Sequence, residues 1–155
     1  MPPTKLPVLD RETERQLASG LFNETWRFLD MPMRRPEQDD EMIHAAHASR
    51  YHWGRVGEHF TLARGEWLCS RVYAVLGRAE PAIWHARRCL DVLTEFGGGE
   101  DWDAAAAYEA LARAYAVAGD NRQKDAWMAK ARQAIKAIKD RDDREPIEAD
   151  LKTIK

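Results

Sequence analysis

Residues 66–96 read EWLCSRVYAVLGRAEPAIWHARRCLDVLTEF. The stretch is a helix, a tight turn at Gly77 and a second helix running back. The chain then says it again. At an offset of 42 residues, Arg71, Tyr73, Ala74, Val75 and Gly77 meet Arg113, Tyr115, Ala116, Val117 and Gly119. The same offset sets Ala86, Cys89, Val92, Leu93 and Phe96 against Met128, Ala131, Ala134, Ile135 and Ile138. Self-similarity of this period in a helix–turn–helix unit marks an α-helical repeat, in which each hairpin buries its apolar face against its neighbours.

Helical punctuation extends outward from this pair. Toward the N-terminus, an arm with Pro2, Pro3 and Pro7 precedes Asp10, which is placed to cap a helix carrying Leu17, Leu21, Thr25, Trp26 and Leu29 at helical spacing. Asn23-Glu24-Thr25 matches a glycosylation acceptor, but it falls inside this helix and is discounted. Pro36-Glu37 opens a second helix with an acidic first turn and an apolar stripe of Met42, Ala46 and Trp53; GRVGEHF closes it. Thr61 is the expected cap of the third helix. Glycines 97–99 end the fourth, which buries Ile83, Ala86, Leu90 and Leu93, and the fifth begins near Asp101. Beyond the repeat, Asp142 or Asp143 before Pro146 signals a seventh helix with Ile147, Leu151 and Ile154 on one face. It would cover the end of the stack, since a terminal repeat otherwise leaves one face bare. The expected organisation is one domain: a degenerate hairpin over 9–56, repeats over 61–97 and 101–139, and a capping helix over 143–154.

Composition agrees with one all-α domain. The chain has 155 residues, 45% apolar and 32% charged, with a formal net charge of −2. This balance argues against a general nucleic-acid or anionic-membrane binder, both of which need a basic surface. No signal-peptide core and no run of roughly 20 apolar residues is present, so the expected location is the cytoplasm. Cys69 and Cys89 lie on the apolar stripes of their helices and read as small buried hydrophobes.

The two repeats resemble tetratricopeptide repeats in a lengthened form. Tyr108, Leu111, Ala112, Tyr115, Gly119, Met128 and Ala131 fall at that family's signature spacing, while Lys124 and Glu66 depart from it. The likeness covers about half the chain. The runs HAAHASRYHWGRVG, ARGEW and SRVYAVLGRAEPA also resemble a set of uncharacterised bacterial proteins of this size, a likeness that supplies no function. The tetratricopeptide resemblance implies a right-handed stack of antiparallel hairpins, the first helix of each lining a concave groove. The groove positions it implies are Arg64, Trp67, Arg71, Ala74, Val75, Glu109, Arg113 and Val117. Arginines beside a tryptophan suit a protein or peptide partner with acidic side chains, because the guanidinium fork binds carboxylates bidentately.

Two anomalies stand apart from the repeat. On the second helix, Asp40, His44, His47 and Tyr51 form one stripe opposite Met42, Ala46 and Trp53, with His52 beside it. Histidines at i and i+3 with a carboxylate one turn earlier can converge on a divalent transition metal, given another ligand from His59, Glu66 or His85. Hydrogen-bonded filler in a helix flanked on two sides is the plainer reading. The second anomaly is Glu66, on the inward stripe of the third helix with Leu62, Cys69 and Tyr73. A carboxylate there must be paired or neutralised, with Arg64, Arg71, His47, Tyr51 or His52 as candidates. It serves either as a structural ion-pair centre or as an acid or base. Trp26, Trp53 and Trp67 could border the same region as aromatic walls. Trp84 and Trp127 fall off the main stripes, at interhelix contacts or a homodimer surface.

The sequence contains no phosphate loop, nucleophile elbow or paired-cysteine site. The expected function is therefore a non-catalytic interaction module binding a partner in the groove, with no cofactor. The alternative is a small-molecule or metal-binding protein, or an enzyme, built on His44, His47, Tyr51 and Glu66.

Overall fold

The computed structural model describes residues 1–97 and 99–155. It contains α1 (Arg11–Leu29), α2 (Pro36–Val56), α3 (His59–Val75), α4 (Ala79–Phe96), α5 (Asp103–Ala118), α6 (Asn121–Ile135) and α7 (Arg141–Lys152), with no strand among the described residues. Each of the first six helices packs against the next, so α1–α2, α3–α4 and α5–α6 form three hairpins in sequence. α3 touches both α1 and α5, whereas α2, α4 and α6 make no mutual backbone contacts among the described residues. An inner layer of α1, α3 and α5 is thus backed by an outer layer of α2, α4 and α6. No described helix is long and apolar enough to cross a membrane.

The 42-residue echo reappears in the backbone. Gly77 (φ 73°) and Gly119 (φ 75°) both take the left-handed conformation that costs other residues most. The Gly77 N–H bonds the Ala74 carbonyl and the Arg78 N–H the Tyr73 carbonyl; the Gly119 N–H bonds Ala116 and the Asp120 N–H Tyr115. These are the paired bonds of a Schellman turn, made twice at one offset.

Several helix boundaries depart from expectation. Asp10 caps α1 by accepting from the Thr13 N–H at 2.9 Å, as its position implied. Thr61 does not cap α3: Gly57 leaves α2 extended, the chain re-enters a helix at His59 with Glu58 at the cap, and the Thr61 hydroxyl donates to the Glu58 carbonyl. α7 starts earlier than Asp142 or Asp143 suggested, because Asp140 accepts from the Asp142 N–H. α4 buries Ala82, Ala86, Cys89 and Val92, leaving Ile83, Leu90 and Leu93 only half-buried. That stripe is rotated because the small residues allow α4 to lie close on α3 and α5.

α7 packs on α5 and α6, where Ile147 and Leu151 join Ala105, Ala131, Ile135 and Ile138 in one apolar cluster. It also reaches back along the inner layer, since the Arg71 guanidinium on α3 donates to Asp150 at 3.2 Å. It therefore covers part of the inner face as well as the last hairpin.

Candidate functional site

The inner face holds an open cavity of about 570 Å³ between α1, α3, α5 and α7. Its walls are Phe22 and Trp26 from α1, Trp67 from α3, Trp102 at the start of α5, and Pro146 and Ile147 from α7. Trp26 and Trp67 pack with ring centroids 5.9 Å apart. Residues four apart share a helix face, which is why Phe22 and Trp26 reach the cavity together. Trp26 and Trp67 thus do line an aromatic cavity, but it opens toward α7 and not toward the histidines, and Trp53 does not line it.

The arginines of the inner face are matched by the chain's own carboxylates. Arg64 binds Asp103 bidentately at 3.0 and 2.9 Å, and its guanidinium lies 4.3 Å from the Trp102 ring centroid. Arg113 holds Glu109 through Nε at 2.7 Å, and also donates to the Asp150 carbonyl and the Thr153 hydroxyl of α7. Arg71 stands 3.6 Å from Glu109 and donates to the Asp150 carboxylate. Glu109 is 2% exposed, and burial pushes its carboxyl above the usual range against the pull of Arg113 and Arg71. Of the predicted groove residues, Arg64 and Trp67 reach the cavity, whereas Arg71, Glu109 and Arg113 sit farther along α3 and α5 in the contact that holds α7. At the cavity rim, Asp142 and Asp143 are exposed, and neither makes an ion pair among the described residues. The rim therefore carries the site's unanswered charge, and it is negative.

The histidine stripe of α2 comes apart in three dimensions. Asp40 and His44 are exposed, and Tyr51 is 45% exposed. His52 turns to α1 and meets the buried Glu14 at 3.2 Å, beside Arg55 at 2.8 Å. Only His47 points toward α3 and α4: its Nε2 lies 2.8 Å from the Tyr73 hydroxyl, and its ring stands edge-on to His85 at 5.2 Å. Burial, then the neighbouring His85, pull the His47 pKa below its ordinary value. Among the described residues, no three His, Cys, Asp or Glu side chains are grouped to hold a metal ion.

Glu66 is 6% exposed and paired, though not with the partners its sequence neighbours suggested. Arg50 Nε donates to it at 2.9 Å and His85 Nδ1 lies 2.6 Å from its other oxygen. Burial raises the Glu66 carboxyl, but the hydrogen bonds from His85 and Arg50 outweigh it and the net direction is down. Arg50 is in reach because Gly65 lets α2 close on α3: a Cβ there would stand 3.0 Å from the Arg50 Cα. Both thiols are buried, and burial pushes Cys69 up to about 12 and Cys89 higher still, so neither is a ready nucleophile.

The cavity residues that sequence reasoning missed are Phe22, Trp102 and the α7 wall. Trp102 stands three residues past the glycine run, and α7 sets Pro146 and Ile147 among acidic residues. Those signals are visible only once α7 is placed on the inner face. No protein-family model, curated protein or solved structure matches this chain.

Proposed function

We propose that this protein is a non-catalytic interaction module that receives a segment of a partner protein in the inner-face cavity. The observation that carries the proposal is the convergence of Phe22, Trp26, Trp67 and Trp102 around an open space of about 570 Å³. That volume lies within the roughly 300–1,000 Å³ of ordinary ligand sites. Tryptophan and phenylalanine also give large, rigid contact area at low entropic cost, as interface anchors do.

Charge selects the kind of segment. Free arginines would suit an acidic peptide, but Arg64, Arg71 and Arg113 already bind Asp103, Asp150 and Glu109. With Asp142 and Asp143 unpaired at the rim, an apolar segment carrying a basic residue is the better complement. The indole faces favour that cation further.

Selection of random peptides displayed against the full chain tests the reading. Recovered sequences should combine bulky apolar or proline residues with Lys or Arg. Their affinity should fall with added salt and with Asp142→Asn plus Asp143→Asn, two exposed changes that leave the core alone. Recovery of no sequence family, or binding indifferent to those changes and to Trp102→Ala, would overturn it.

A further inference from the structure

The chain itself carries a segment of this chemistry. Residues 1–10 precede α1, form no helix or strand and are exposed throughout. Leu6 is 72% and Val8 91% exposed, so these side chains add nothing to their own core. Pro2, Pro3 and Pro7 each fix φ near −65° and favour the extended polyproline II form, which has less conformational freedom to lose on docking. Lys5 is the arm's one charged side chain before Asp10.

Resting on the cavity reading above, we infer that the arm of a second copy of this chain docks in the cavity. Proline-bearing segments characteristically lie on aromatic-lined grooves. Here Leu6, Pro7 and Val8 would meet the indole walls, and Lys5 would meet Asp142 and Asp143. The occupant is a second copy because of how the arm leaves its own helix. Asp10 is extended (φ −66°, ψ 156°) and caps α1, so the chain departs from the N-terminal end of that helix. Phe22 and Trp26 lie the other way, roughly 18–24 Å along α1 at ~1.5 Å per residue. Return to its own cavity requires a reversal between Pro7 and Asp10, a stretch with no glycine. Reciprocal exchange of arms instead closes a two-fold pair in which each cavity is filled.

Sedimentation of the full chain from about 5 to about 500 µM should show a concentration-dependent monomer–dimer shift. The exposed double change Leu6→Asp/Val8→Asp, and separately Asp142→Asn/Asp143→Asn, should each weaken association about tenfold or more. Both variants should still melt cooperatively as folded chains, the second up to a few degrees lower because Asp142 and Asp143 lie in the first turn of α7. A synthetic peptide of residues 2–9 should alter tryptophan fluorescence of the arm variant, and less so after Trp102→Ala. A chain that stays monomeric throughout, or an arm variant that associates as tightly as the parent, overturns the inference. If the peptide binds while the parent stays monomeric, the second-copy assignment fails and the cavity reading stands. If neither the arm peptide nor any displayed peptide binds, the cavity reading itself fails.

Discussion

Replacing Glu66 with Gln keeps the shape of the side chain and removes its charge. One acceptor oxygen survives, and an amide NH2 takes the place of the other. The better orientation gives the oxygen to Arg50 Nε and turns the NH2 toward His85 Nδ1, which can accept as a neutral tautomer. No donor is then stranded; both bonds lose the carboxylate's charge, and the Arg50 bond, whose guanidinium stays ionised, loses less. Bonds to charged groups contribute ~1.5–3 kcal/mol against ~0.5–1.5 for neutral ones, or up to about 1 kcal/mol lost per bond. The Arg50 side chain is 36% exposed, so solvent screens its share. The expected destabilisation is about 1–2 kcal/mol, which for a chain of this length lowers the melting temperature by about 2–8 °C. Trp84→Ala, at a residue 61% exposed, should fall within about 0.5 kcal/mol. The pH dependence follows from the lowered carboxyl. The stabilisation is fully present above the ordinary Glu value of 4.5 and is lost as pH falls through the lower folded-state value. Thermal melts of parent and variant should therefore differ most above pH 5 and converge in more acidic buffer. A Glu66→Gln protein melting at the parent's temperature near pH 7, or a difference that grows below pH 4.5, would refute the assignment of Glu66 as an ionised pair centre.

Arg113→Met leaves Glu109 buried with only the 3.6 Å approach of Arg71, so urea unfolding should report a loss of about 3 kcal/mol or more, recovered in part by adding Glu109→Gln, which does not replace the Arg113 bonds to α7. Gly77→Ala and Gly119→Ala meet no atom within 4 Å, and backbone strain alone should cost each about 1–2 kcal/mol; unequal costs would count against equivalent turns. The depressed His47 pKa means the folded state resists a proton the unfolded chain accepts. Stability should thus decline as pH falls below 6.5, and His47→Gln should flatten that decline in a pH series of melts.

The hairpins were legible because their determinants are local. A left-handed turn residue must be glycine at little cost, so Gly77 and Gly119 announce themselves at a fixed offset, and Asp10 caps the helix it precedes. The partners of buried charges were not legible in the same way. The sequence offers Arg64, Arg71, His47, Tyr51 or His52 as partners for Glu66, yet Arg50 and His85 hold it. The difference is a modest rotation of α2, set by the close approach at Gly65, and no periodicity encodes it. The His44–His47–Tyr51 stripe failed for the related reason that a shared helix face does not guarantee a shared neighbour. The aromatic cavity needed one more step, since its fourth wall is α7 and only tertiary packing puts that helix on the inner face.

That wall has a thermodynamic character of its own. Pro146 lies inside α7, supplies no N–H and leaves the Asp142 carbonyl without its helical partner. A helix of 12 residues is marginal alone, and only Ile147 and Leu151 are buried from it. Its amides should accordingly exchange with solvent deuterium through local opening, well before those of α3 and α5. An occupant that spans from Trp26 to Pro146 would tie this early-opening unit to the rest of the protein. Binding would then be read most sharply as slowed exchange across α7, a helix that need not move for the signal to appear.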